Sequence, residues 1–90
     1  MLTSLDLLNR LKVEKQLLSN RQVAAFLGIS HWTVNQIGKG GFWNDDLACE
    51  IADMLGLDVD LTLLAILAER SRNERAIEAL KRLEENQKTA

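Results

Sequence analysis

Ninety residues, 47% hydrophobic and 27% charged, describe one small folded unit with a single core. No apolar run approaches 18 residues, so a membrane span is excluded, and the N-terminus lacks the basic, apolar and small-residue succession of a signal peptide. Cys49 is the sole cysteine, so no internal disulfide forms and the chain reads as cytoplasmic. The net charge of −2 divides unevenly. Residues 1–44 hold five basic groups (Arg10, Lys12, Lys15, Arg21, Lys39) against two acidic ones (Asp6, Glu14), whereas residues 45–90 hold six basic against eleven acidic. Such a split is consistent with an N-terminal half that faces an anion and a C-terminal half employed differently.

Helical signals follow one another along the chain, with no strand pattern and no linker. Thr3 is a cap for a first helix, with Leu5, Leu8 and Leu11 or Lys12 at helical spacing. Ser19-Asn-Arg-Gln22 has the form of a capping box and predicts a second helix from about Asn20 to Leu27, ended by Gly28. Ser30 caps a third helix, His31 to about Lys39, which stops at Gly40-Gly41. Asn44 or Asp45 caps a fourth, reaching Leu55 with Leu47, Ile51 and Leu55 as its apolar stripe and Gly56 as its stop. Asp60 is the expected cap of a fifth helix to about Arg70. Ser71-Arg-Asn-Glu74 resembles a second capping box, with a sixth helix from near Asn73. The expected fold class is all-α with five to six helices, divided into a unit over 1–70 and a helical extension over 71–90.

Reading a DNA duplex requires a helix that enters the major groove and a second helix that holds it at a fixed angle. Ser19 to Gly40 has that make-up. Val23 and the small Ala24 point inward, Leu27 and Ile29 lie under the turn, and Val34 and Ile37 form the buried side of the third helix. His31, Trp32, Thr33, Asn35 and Gln36 are left to face outward. Ser30 and the open N–H groups of that first turn suit a phosphate.

The stretch SNRQVAAFLGISHWTVNQIGKG resembles the lambda-repressor/Cro-type (XRE-like) helix-turn-helix. The shared pattern is Ser19, Val23-Ala24, Leu27-Gly28-Ile29-Ser30, Thr33-Val34 and Gly40, and DDLACEIADMLGLDVDLTLL is similar to the family's fourth and fifth helices. The resemblance covers about Leu5 to Leu64. It implies a lambda-repressor-like DNA-binding fold whose base-reading residues fall on His31, Trp32 and Gln36, flanked by Thr33 and Asn35. It implies phosphate contacts at Asn20 and Ser30, with Ser19, Arg21 and Lys39 completing the candidate phosphate set. Gln36 suits a bidentate pair with adenine, worth about 1–3 kcal/mol of discrimination. Trp32 suits a thymine methyl, the sugar-phosphate edge or packing against helix ends. The sequence departs from the family at Gly38, which shortens the reading helix, in the Pro-free loop GKGGFWNDD, and in its overall acidity, which implies few phosphate contacts per copy and a shallow salt dependence.

The expected function is a sequence-specific transcriptional regulator of the compact phage or prophage repressor type, binding double-stranded DNA as a homodimer. An excisionase or an antitoxin on the same fold, and a protein-interaction module that reads no DNA, remain open alternatives. His31 on its own is an ordinary surface histidine, and without a second histidine it makes no metal site. Phe42 and Trp43 are expected in the core, and Cys49 as a small buried residue. Gly38-Lys-Gly-Gly41 lacks the preceding strand and the Lys-Ser/Thr ending of a nucleotide-phosphate loop. No paired carboxylates or nucleophile–base set occur at meaningful spacing, so no enzyme activity, cofactor or small-molecule substrate is expected. Leu61 to Ala68 is apolar nearly all round a helix, so one face cannot bury it. Its outer side is covered by the last helix, through Ala76, Ile77, Leu80 and Leu83, by a second subunit, or by both. The candidate seam is Leu63, Ile66, Leu67, Ile77, Leu80 and Leu83.

Overall fold

A polar side chain opens each of the six helices of the computed structural model, which describes residues 1–89, with side chains through Asn86. The helices are α1 (Ser4–Glu14), α2 (Asn20–Leu27), α3 (His31–Gly38), α4 (Asp45–Met54), α5 (Val59–Ser71) and α6 (Glu74–Thr89). Among the described residues there is no strand, and the fold is all-α. No helix among them is long and apolar enough to cross a membrane.

The caps explain where the helices start. At α1 the Thr3 hydroxyl accepts from the Asp6 N–H (3.1 Å) and the Asp6 carboxylate accepts from the Thr3 N–H (3.0 Å), a reciprocal capping box. At α2 the Ser19 hydroxyl accepts from the Gln22 N–H, but the Gln22 side chain reaches one residue further back, to the Leu18 N–H at 2.7 Å. Asn44 caps α4, accepting from the Leu47 N–H at 2.8 Å.

Two starts differ from the sequence expectation. The cap of α5 is Asp58, whose carboxylate accepts from the Leu61 N–H at 2.9 Å, and Asp60 sits two residues on, within the first turn, where its charge still favours the positive helix start. Ser71 does not open α6. Its hydroxyl donates to the Ala68 carbonyl and accepts from the Asn73 N–H, which closes α5, while Asn73 caps α6 through the Ala76 N–H at 3.0 Å.

The core gathers Leu7, Leu8 and Leu11 of α1, Val23 and Ala24 of α2, Val34 and Ile37 of α3, Ala48 and Ile51 of α4, and Ile66 of α5 around Trp43. Leu5, expected on the inner face of α1, is 45% exposed, because the buried stripe runs through Leu7 and Leu11 instead. Phe42 and Cys49, expected inside, are half-buried. The last helix folds back on α5: Leu80 is buried against Ala65 and Ala68, with Ile77 packed beside them. This divides the expected association seam. Ile66 and Leu80 are internal, at 0% and 3% exposed, Ile77 and Leu63 are half-buried, and Leu67 and Leu83 stay outside at 38% and 48%.

Trp43 is fully buried and every polar group on it is bonded. Its N–H donates to the Ser4 hydroxyl (3.2 Å), its indole Nε1–H donates to the Ser4 carbonyl (3.0 Å), and its carbonyl accepts from the Arg70 guanidinium (2.9 Å). The Ser4 hydroxyl in turn donates to the Glu69 carboxylate, which also accepts from the Ser4 N–H, both at 2.9 Å. Arg70 closes the set with an ion pair to Asp45 at 3.1 Å. The Glu69 charge lies at the positive start of α1, where it is favoured by the helix dipole. Burying an indole of this size removes about 150–250 Å² from water, worth about 4–6 kcal/mol.

Glu69→Ala leaves the Ser4 N–H and hydroxyl without their acceptor and should lower the unfolding free energy by about 2 kcal/mol in urea denaturation. Glu69→Gln keeps an acceptor oxygen and should lose less; equal losses for both would contradict the account.

Candidate nucleic-acid interface

Helices α2 and α3 are each eight residues long and are joined by Gly28, Ile29 and Ser30. Gly28 adopts φ 71, a left-handed conformation that lets the chain turn out of α2 at little cost. The Gly28 N–H then bonds the Ala25 carbonyl (3.3 Å) and the Ile29 N–H bonds the Ala24 carbonyl (3.0 Å), which satisfies the end of α2. Ile29 packs against the core, and Ser30 opens α3 with its hydroxyl accepting from the Thr33 N–H at 3.2 Å. Val23 and Ala24 on one helix and Val34 and Ile37 on the other join the same buried cluster, so the turn and the core together fix the relative position of the two helices.

The far end of α3 is closed by the same device. The Gly40 N–H bonds the Ile37 carbonyl (3.2 Å) and the Gly41 N–H bonds the Gln36 carbonyl (2.7 Å), with Gly40 at φ 98. A Cβ on Gly41 would lie 2.8 Å from the Gln36 carbonyl oxygen, so that position takes only glycine without the chain shifting. Two residues later comes Trp43, tied to α1 and α5. The exit of α3 is therefore anchored to the core network within a few residues of Gln36.

On the outer side of this unit His31 and Trp32 are exposed, Trp32 at 69%, at the open first turn of α3. Gln36 is half-buried, one turn further on. Thr33 is half-buried and its hydroxyl is 2.9 Å from that of Ser30, so both hydroxyls serve the helix start. Asn35 is half-buried, and its side-chain oxygen accepts from the Asn20 amide at 3.0 Å. That bond ties the first residue of α2 to the middle of α3, while the Asn20 side-chain oxygen is buried without a partner. The two amides, expected to contact base and phosphate separately, are instead brought together as a strut between the helices. Ser19, Arg21, Ser30 and Lys39 are exposed. Neither Arg21 nor Lys39 has an ion-pair partner among the described residues.

The electrostatics of the unit follow from its sequence. Residues 15–44 contain no Asp or Glu, and they include Lys15, Arg21, Lys39 and His31. The surface of α2 and α3 is thus free of carboxylates that would repel a polyanion. Two features escaped the sequence reading. The Asn20–Asn35 strut joins positions fifteen apart across a turn, which no helical spacing rule links. Leu18 and Phe26 are large apolar side chains left 87% and 46% exposed beside the unit. Among the described residues no group of three or more His, Cys, Asp or Glu is placed to hold a metal ion.

Comparison of the chain with protein-family models, with curated proteins and with solved structures finds no match.

Gly28, just before α3, and Gly38, its last residue, should respond oppositely to alanine. Gly28→Ala forces a side chain into the left-handed region and should cost about 1–2 kcal/mol. Gly38 is helical with open space around it, so Gly38→Ala should add about 0.5–1 kcal/mol. Thermal or urea denaturation of both variants measures this, and equal signs would contradict the assigned backbone roles.

Proposed function

We propose that this protein is a sequence-specific double-stranded DNA-binding regulator of the compact phage or prophage repressor type, reading the major groove with α3. The observation that carries the reading is the exposed first turn of α3, bearing His31 and Trp32 with Gln36 behind them, held by a second helix in a segment free of carboxylates. A helix of eight residues is about 12 Å long, a length that suits the major groove. The resemblance of Ser19 to Gly40 to the lambda-repressor/Cro-type helix-turn-helix supports the same reading. Its scaffold positions are occupied here by a capping Ser19, the buried Val23-Ala24 pair, the Gly28 turn, the capping Ser30 and the buried Val34. Such a regulator works in the cytoplasm, where its DNA is.

Within this reading each residue has a role. Gln36 makes a bidentate pair with a base edge, and His31 and Trp32 contact the neighbouring base pairs or the thymine methyl. Arg21, Lys39, Ser19 and the first-turn N–H groups of α3 engage phosphates, which positions the helix without reading sequence. The Asn20–Asn35 strut fixes the angle between the reading helix and its support. With Arg21 and Lys39 as the cations of the unit, the logarithm of affinity should fall against the logarithm of salt with a slope of about −2 per copy.

The test is a selection of bound duplexes from a randomised pool, followed by titration of variants on an enriched duplex and on its scrambled counterpart. An enriched motif is expected. His31→Ala and Gln36→Ala should each lower the preference for that motif by about 5- to 100-fold without moving the thermal unfolding transition. No enrichment, or two silent substitutions, would overturn the reading.

A further inference from the structure

Helices α5 and α6 form a hairpin whose inner side is packed and whose outer side is open. Between them runs an apolar groove of about 370 Å³, with Leu80 and Ala68 at its base and Leu64, Leu67, Ala79 and Leu83 along it. Leu64, Leu67 and Leu83 are 42%, 38% and 48% exposed, a contiguous apolar strip that water contacts in the isolated chain.

The two edges of the groove differ in charge. On α5, Asp60 lies at the i, i+4, i+7 spacing with Leu64 and Leu67 and so shares their face. On α6, Arg75 and Arg82 are seven residues apart and flank the strip formed by Ala79 and Leu83. Asp60, Arg75 and Arg82 are exposed, and none has an ion-pair partner among the described residues. The α5 edge carries a carboxylate near its end, and the α6 edge carries two guanidinium groups with the exposed Glu78 between them. A self-complementary contact uses such an arrangement, because a two-fold axis brings each patch onto its counterpart.

We propose that a second copy of this chain occupies the groove, with a two-fold axis running parallel to the helices so that α5 of one copy lies over α6 of the other. In that arrangement Asp60 meets Arg82 of the second copy at both rims. Asp60 is about 16 Å along α5 from the hairpin turn and Arg82 about 14 Å along α6, so the two heights agree within the reach of an arginine side chain. The perpendicular axis lays α6 on α6, which sets Arg75 against Arg82 of the second copy and takes Asp60 away from Arg82. The apolar strip supplies the attraction, and the rim pairs set the register. The resulting four-helix contact leaves α2 and α3 outside it and carries two reading units on one particle.

Sedimentation equilibrium of the full chain without DNA tests this, and because no duplex is present its failure is separate from failure of the DNA-reading proposal. A concentration-dependent dimer is expected. Leu67→Glu and Leu83→Glu should each weaken it by about tenfold or more while the helical circular dichroism signal is retained, since both side chains are exposed in the single chain. Asp60→Arg and Arg82→Asp should each weaken it by about two- to fivefold, and the double exchange should restore it. A monomer at every concentration, or a dimer indifferent to both leucine substitutions, overturns the proposal. A dimer that depends on the leucines but is not restored by the double exchange overturns the proposed register.

Discussion

Trp43 is the point on which the rest of the structure depends. It belongs to a loop, yet it is fully buried, and its bonds reach Ser4 at the start of α1 and Arg70 in the last turn of α5. The Glu69 carboxylate completes the link by accepting from Ser4 twice. Three segments far apart in sequence are thereby held at one place, and each buried polar group has a partner there. An unmet N–H or carbonyl at that depth would cost about 1–3 kcal/mol, so the network favours one arrangement of these segments over its near alternatives. The loop that leaves α3 is fixed by the same network, since Gly41 closes on Gln36 just before Trp43 begins.

This constraint separates the molecule into a held part and a presented part. The buried sides of α2 and α3 are held by the core and by the Asn20–Asn35 strut, and their outer sides are left to solvent with His31 and Trp32 foremost. The cost of fixing the backbone that carries those side chains has already been met by folding. For the proposed DNA-reading role this matters, because base discrimination rests on side chains held in register with the base edges. The carboxylates of the acidic C-terminal half lie outside residues 15–44, the segment proposed to meet DNA. The apolar strip of that half is where the proposed second copy would pair two such units, which suits a DNA-binding copy that carries few cations of its own.

Much of the fold was legible in the sequence, and the reasons are local. Thr3, Ser19, Ser30 and Gly28 act through backbone groups within a few residues, so their roles follow from type and spacing alone. The buried pairs Val23-Ala24 and Val34 with Ile37 follow from helical periodicity. What escaped was decided at long range or between near-equivalent neighbours. Asp58 and Asp60 are both acceptable caps, and the choice between them depends on where the chain leaves Gly56. Ser71 and Asn73 compete in the same way across the α5–α6 turn. Leu7 displaced Leu5 from the inner face of α1 because the partner helices, not the spacing, select among adjacent leucines. The Ser4–Glu69 contact spans 65 residues and left no mark in the sequence, nor did the division of the expected seam into buried Ile66 and Leu80 and exposed Leu67 and Leu83.

The central claim, that α3 and the start of α2 form the surface that meets DNA, is tested most directly by following backbone amide signals while the full chain is titrated with a mixed-sequence duplex at low salt. The account predicts that the largest shifts fall on residues 19–21 and 30–36, with Lys39, and that the α5–α6 groove stays unmoved. Shifts confined to that groove, or no shifts at all, would contradict it.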